Sequence, residues 1–334
     1  MKWIISIGLL LFIFSCSSSE KKIASNRPVI LDLPKGFPEI NFPEDNQLTE
    51  ARIVLGRRLF YDTRFSKDNT IACASCHLVN QAFTDKNPKA VGLKDRVGTR
   101  NSMTLANVAY GENFFMDGGV PSLELQVLAP IHDKNEMDHS ILEVIKDLEK
   151  DDEIVKLSQT AYDRPVDSFV ITRAIASFMR TMISGNSKYD QFIHGDTTTF
   201  STQEKRGLAV FQENGCQNCH SGFNFSDGDF HNVGLYVKYD DFGRERISYT
   251  EDDRGKFKTP TLRNIELTGP YMHDGSIPEL KQVIDFFNSG GEIHANKDPR
   301  IKPLNLTRQQ KDDLLAFLKT LTDEEFVSNV GFTP

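Results

Sequence analysis

Two pentapeptides carry the chemistry open to this chain: Cys73-Ala74-Ser75-Cys76-His77 and Cys216-Gln217-Asn218-Cys219-His220. Two thiols three positions apart, on one turn of chain, can each form a thioether to a vinyl group of a haem. The imidazole that follows can then reach the iron as its proximal ligand. Two rival uses of paired cysteines fit less well. A zinc ribbon needs its C-x-x-C pairs about 15–20 residues apart, whereas these lie 143 apart. A thioredoxin-like redox pair has no need of the histidine. Of five cysteines only Cys16 is left over, so none is spare for a structural disulfide. The reading is two covalently attached haem c groups, one on Cys73, Cys76 and His77, the other on Cys216, Cys219 and His220.

The chain also repeats itself. Thr104-Leu105-Ala106-Asn107-Val108 matches Thr261-Leu262-Arg263-Asn264-Ile265 at an offset of 157, and the same offset aligns Asp117-Gly118-Gly119-Val120-Pro121 with Asp274-Gly275-Ser276-Ile277-Pro278. The haem motifs repeat at 143, so a loop of about fourteen residues separates the two registers. Such self-similarity predicts two cytochrome c-like units derived from one ancestor.

The elements that must hold these motifs read as helices. Thr49 is an N-cap before Ile53, Leu55, Leu59 and Phe60; Ser201 or Thr202 does the same before Leu208, Val210 and Phe211; Thr307 precedes Leu314, Leu315, Phe317, Leu318 and Leu321. Residues 167–183 form a further helix, broken by Ser184-Gly185-Asn186-Ser187. The expected architecture is all-α: an N-terminal cytochrome c-like domain over 46–190 and a C-terminal one over 191–334, with the boundary near 186–200.

Ahead of these domains, Lys2 and the apolar run Ile4 to Phe14 have the form of a secretory signal, too short to span a bilayer comfortably. Ser15-Cys16 followed by Ser17-Ser18-Ser19 resembles a bacterial lipoprotein site, with cleavage before Cys16 and lipidation of it. The bland alternative is an ordinary signal, with Cys16 discarded. Residues 1–20 are therefore read as the signal segment and 21–45, polar and Pro-rich, as a tether. The expectation is an exported, periplasmic protein held at the membrane by lipid alone. Hydrophobic content of 39% and charged content of 26% support folded cores. A net charge of −8 argues against nucleic acid as a partner.

With these residues assembled, the chain resembles the bacterial dihaem cytochrome c peroxidases and their MauG-like relatives over roughly residues 45–325. The matching stretches include Leu55-Gly56-Arg57-Arg58-Leu59-Phe60-Tyr61-Asp62, Gly98-Thr99-Arg100-Asn101, Leu123 through Ile131, and Gly269-Pro270-Tyr271-Met272-His273-Asp274-Gly275. The resemblance implies that the N-terminal haem meets hydrogen peroxide and the C-terminal haem takes electrons from a small cytochrome c or cupredoxin. It maps a distal acid/base glutamate onto Glu136 and a distal-pocket glutamine onto Gln126. An acid/base group beside an open iron moves a proton from one peroxide oxygen to the other so that water can leave. It also implies a calcium ion between the domains, with Asn101, Thr268 and Pro270 as ligands, the last two through backbone carbonyls; oxygen donors suit Ca²⁺. Many members are dimers, which leaves a homodimer open.

Three departures from the family pattern matter. The loop Ala90-Val91-Gly92-Leu93-Lys94, where many of these peroxidases carry a histidine that gates the first iron, has none, and no histidine occurs between His77 and His132. That predicts an open, high-spin N-terminal haem, with Lys94 the one alternative ligand in the loop. Met116 stands where the family usually has a tryptophan between the haems, and Trp3, in the signal, is the chain's one tryptophan. Phe287 occupies the position of the second haem's distal ligand and cannot ligate, leaving Met272, favoured, and His294; His273 reads as a pocket or propionate partner. The leading expectation is a peroxidase. A MauG-like oxidase of a protein residue or small molecule is the second, and a non-enzymatic dihaem electron carrier the third.

Overall fold

A computed structural model describes residues 24–334; the expected signal segment, Cys16 and Trp3 lie outside the described residues. The first unit contains α1 (Glu50–Phe60), α2 (Cys73–Cys76, the first haem motif), α3 (Leu123–Gln126), α4 (Leu128–His132), α5 (Ile141–Leu148), α6 (Asp152–Tyr162) and α7 (Ser168–Met179). The second contains α8 (Lys188–Ile193), α9 (Thr202–Glu213), α10 (Glu245–Ser248), α11 (Leu280–Ser289) and α12 (Arg308–Lys319), followed by α13 (Glu324–Val327). A two-residue antiparallel ribbon, β1 (Phe230–His231) with β2 (Phe257–Lys258), is the only sheet among the described residues. The helices start where their caps predict. Thr49 accepts from the Arg52 amide, Asp167 from that of Val170, and Ser201 and Thr307 form capping boxes with Glu204 and Gln310.

The internal repeat is a repeat of packing. In each unit a glycine lets two helices cross at backbone distance. A Cβ on Gly56 of α1 would lie 1.8 Å from the Ala174 carbonyl oxygen of α7, and one on Gly207 of α9 would lie 1.9 Å from that of Asp313 in α12. Each crossing has a phenylalanine against the glycine, Phe178 and Phe317 respectively. Asn107 and Asn264, matched by the 157-residue offset, both adopt left-handed φ (58° and 61°). Their backbone amides donate to Met182 O and Leu321 O at 2.8 and 2.9 Å, and their side-chain oxygens accept from the amides of Ser184 and Asp323, both at 2.8 Å. Thr104 and Thr261 each bond, at 2.6 Å, to the carbonyl of a residue close behind the local haem motif, Ala82 and Asn224. The chain passes from the first hydrophobic core to the second between Met182 and Tyr189.

Two segments depart from the sequence-based domain plan. Residues 24–45, read as a tether, lie along the body. Ser25 and Arg27 carbonyls accept from Ala51 and Glu50 amides, the His194 ring bonds to the Lys35 carbonyl at 2.8 Å, and Tyr110 donates to the Pro38 carbonyl at 3.0 Å. Phe37 packs against Tyr110 of the first unit and Phe223 of the second, with the Arg263 guanidinium 4.9 Å above its ring. One aromatic side chain in a Pro-rich run thus straps both units. At the other end the chain returns: Phe326 and Phe332 are buried in the first core, and Tyr61 donates to the Phe332 carbonyl at 2.6 Å. The last residues of the span assigned to the second domain therefore complete the first. No helix among the described residues is long and apolar enough to cross a membrane.

Candidate haem sites and the distal cavity

In both motifs the histidine is prepared in the same way. His77 Nδ1 lies 2.8 Å from the Phe83 carbonyl, and His220 Nδ1 lies 3.0 Å from that of Phe225. A carbonyl can only accept, so each ring carries its proton on Nδ1 and presents an Nε2 lone pair, the form an iron requires. Burial lowers both imidazole pKa values, which keeps the rings neutral. The neighbouring thiols point away from redox use: burial, reinforced by their mutual proximity, pushes Cys73 up to about 12, and burial pushes Cys216 up to about 11. A thioredoxin-like pair needs the opposite shift. The residues present fit a thioether-bound haem at each motif.

Beside the first motif the fold leaves a cavity of about 90 Å³, lined by Cys73, Cys76 and His77 together with Gln126, Glu136 and Met137. Glu136 and Gln126, matched to the family from sequence, are thus brought to one cavity with the proximal histidine. Glu136 lies in the loop between α4 and α5. Burial, with a smaller contribution from the negative charge of Asp133, raises its carboxyl to about 7. Gln126 ends α3, and its Oε1 is buried with no hydrogen-bond partner. A buried acceptor without a partner is uncommon in a folded protein, and the Gln126 side chain is otherwise part of the cavity wall.

Sequence reasoning missed what holds α3 in place. Glu124 and Arg180 form a buried ion pair, with Nη1–Oε1 2.5 Å and Nη2–Oε2 3.2 Å, and Asn46 adds a bond to Glu124 at 2.9 Å. Burial alone would raise the Glu124 carboxyl, but Arg180 outweighs it and holds it below the ordinary range. Glu124 precedes Gln126 by two residues, so this network fixes the short helix that presents the amide.

The loop that lacks a histidine is a hairpin. Val91 bridges Val97, and the Ala90 amide donates to Arg100 O at 3.0 Å. Ala90, Val91 and Gly92 face the cavity, whereas Lys94 is exposed at the tip and does not line it.

The second motif is surrounded differently. Met272 sits in a left-handed turn (φ 73°), at the repeat position of Phe115 (φ 63°). His273 stacks on Phe257 (3.9 Å between centroids, 14° between planes), and its carbonyl accepts from the Asn101 amide at 2.8 Å. His294 Nδ1 accepts from the Asn296 amide at 3.1 Å, which places its proton on Nε2 and leaves no lone pair for an iron. Arg100 ties the units together, bonding Asp117 of the first (2.7 Å) and Asp241 of the second (2.6 and 2.9 Å). The Asn101 amide nitrogen donates to the carbonyls of Asn87 and Pro88. Among the described residues one cluster of metal-binding side chains occurs, Cys219, Asp227 and His231. Its cysteine belongs to the haem motif, and its ring nitrogens are engaged by Asp227 and Asp298 at 2.9 and 3.0 Å.

Comparison with known proteins identifies the family. Residues 50–198 match the family model for dihaem cytochrome c peroxidase, and residues 204–322 match that for cytochrome c, which implies covalently bound haem c. The chain is 35% identical to the methylamine utilization protein MauG of Methylorubrum extorquens over 87% of its own length and 83% of the relative's. It is 33% identical to the cytochrome c551 peroxidase of Nitrosomonas europaea, covering 85% and 82% of the two chains. Among solved structures, a MauG-like protein associated with microbial copper homeostasis superposes with a TM-score of 0.87 at 34% identity, covering 91% of this chain and 99% of that one.

Proposed function

Since the chain belongs to the dihaem cytochrome c peroxidase and MauG family, we propose that it reduces hydrogen peroxide to water with two electrons from a small cytochrome c or cupredoxin. One observation carries this reading: Glu136, raised to about 7, shares a cavity with His77 and the unpartnered Gln126, and no histidine stands in the hairpin that lines it. A haem held by Cys73, Cys76 and His77 would supply the redox chemistry of oxygen–oxygen bond cleavage. The protein's part is proton management. As a carboxylate, Glu136 accepts the proton of one peroxide oxygen and delivers it to the other, so that the departing oxygen leaves as water. Gln126 Oε1 accepts from the peroxide O–H and fixes its orientation. The apolar Val91 and Met137 keep bulk water from competing.

Cys216, Cys219 and His220 would hold the haem through which electrons enter, with Met272 the candidate second ligand; a thioether ligand would raise the potential, as suits an inlet. Asn101 Oδ1, with the carbonyls of Thr268 and Pro270, would hold a calcium ion between the units. The two cytochrome c-like domains span 46–190 and 191–334, with the C-terminal tail returned to the first core. The protein is exported to the periplasm and tethered through lipidated Cys16, and it can form a homodimer. The MauG-like alternative loses support from Met116 at the inter-haem position, and an electron carrier would gain nothing from a proton-handling glutamate. Steady-state consumption of hydrogen peroxide by the dihaem protein, driven by a reduced small cytochrome c, tests the proposal. Turnover supports it, and slow oxidation of a partner protein without turnover would replace it with the MauG-like reading.

A further inference from the structure

The hairpin over 90–98 does more than omit a ligand. Its inner edge is in backbone contact with the segment that carries Glu136. A Cβ on Gly92 would lie 2.0 Å from the Asn135 carbonyl oxygen and 2.5 Å from Glu136 Cα, both backbone positions that cannot swing aside. Gly92 has φ −103°, open to any residue, so space and not conformation demands glycine here. The next amide, Leu93 N, donates to Glu136 O at 2.7 Å, while the Glu136 amide donates to Asp133 O at 3.1 Å. A second tie lies beyond the glutamate: Arg96 bonds Asp138 at 3.0 Å and the Leu93 carbonyl of its own hairpin at 3.0 Å.

From these contacts we infer that Gly92, with the Arg96–Asp138 pair, is a positioning device for Glu136: it clamps the glutamate's backbone so that the carboxyl stays inside the cavity beside His77. The hairpin is then a fixed wall of the reaction site. This rests on the peroxidase reading of Glu136. Among titratable groups, Asp133 on its own loop acts on Glu136, and Cys73, Cys76 and His77 share its cavity from the motif side; the hairpin's Arg96 is engaged by Asp138. A clamp that loosens lets water reach the carboxyl, which then titrates nearer its ordinary range.

The test is the second-order rate of the dihaem protein with hydrogen peroxide, followed by stopped-flow absorbance from pH 5 to 9, for Gly92→Ala, Asp138→Asn and Glu136→Gln. The active form is the carboxylate, so the parent rate falls as pH drops through about 7. Gly92→Ala should lower the plateau rate about tenfold or more, since small misplacements of a reacting group are costly, and move the acid limb down by about one pH unit. Asp138→Asn, a half-exposed change that keeps the fold, should move the limb the same way by less. Plateau and limb unchanged in both variants, with Glu136→Gln at least a hundredfold slow, would overturn the clamp and leave the function standing. A Glu136→Gln protein as fast as the parent would overturn the function reading itself, and the clamp with it.

Discussion

The two halves of this molecule share a plan and differ in what surrounds the plan. Both hold a C-x-x-C-H motif whose histidine is fixed by a backbone carbonyl, and both cross two helices over a glycine. In both, an asparagine in left-handed conformation ties the repeat to a distant strand of chain. Among the described residues, the first half adds a cavity bearing a raised carboxyl and an unpartnered amide. In the second half Met272 and His273 stand at the repeat positions of Phe115 and Met116, with His273 stacked on Phe257. The attachment motif thus belongs to the repeat, whereas the candidate reaction residues lie on segments the repeat does not share. Loops diverge without disturbing either core.

The largest effect that could break this comparison is chemical. Glu136→Gln should slow the reaction with peroxide about 10²–10⁴-fold, with both haems still attached by mass, because nothing in the motifs depends on it. For the parent, the rate should rise with pH through about 7, where Glu136 becomes a carboxylate; an optimum well below that would assign the proton transfer elsewhere.

Next come the buried ion pairs, one per half: Glu124–Arg180 and Asp190–Arg263, the latter at 2.9 and 3.0 Å. Removing one partner strands a buried charge, so Arg180→Met and Asp190→Asn should each cost about 3–5 kcal/mol in chemical denaturation. Only Arg180→Met should also slow the peroxide reaction, through α3 and Gln126. Equal effects on activity would erase the proposed division. Gly56→Ala and Gly207→Ala should destabilise their own halves by about 1–3 kcal/mol through overpacking, and a much larger effect at one would show that the crossings are not equivalent. The smallest effect is expected at Phe37→Ala, about 1 kcal/mol at a partly exposed aromatic contact, read as faster proteolysis near 24–45 with haem spectra unchanged.

Much of this was legible in the sequence because it rests on local rules. The caps Thr49, Ser201 and Thr307 mark helix starts by side-chain chemistry alone. The pairing of Asn107 with Asn264 follows from self-similarity. Glu136 and Gln126 came from resemblance; no spacing rule brings the end of one helix and a residue of a later loop to one cavity. The strap over 24–45 was missed because its anchor is a single Phe37 in a Pro-rich run, where periodicity has nothing to register. The return of Phe326 and Phe332 to the first core was missed for a related reason: a tail's partner is set by tertiary contact and leaves no local signature. The Gly92 contact is likewise silent in sequence, since its φ is ordinary and only the neighbouring backbone excludes a side chain.

The asymmetry of the two irons is tested most directly by electron paramagnetic resonance of the oxidised dihaem protein, before and after one equivalent of hydrogen peroxide. The account predicts one high-spin signal from the haem on His77, lost on adding peroxide, and one low-spin signal from the haem on His220 in the resting protein. Two low-spin signals at rest, unchanged by peroxide, would contradict it.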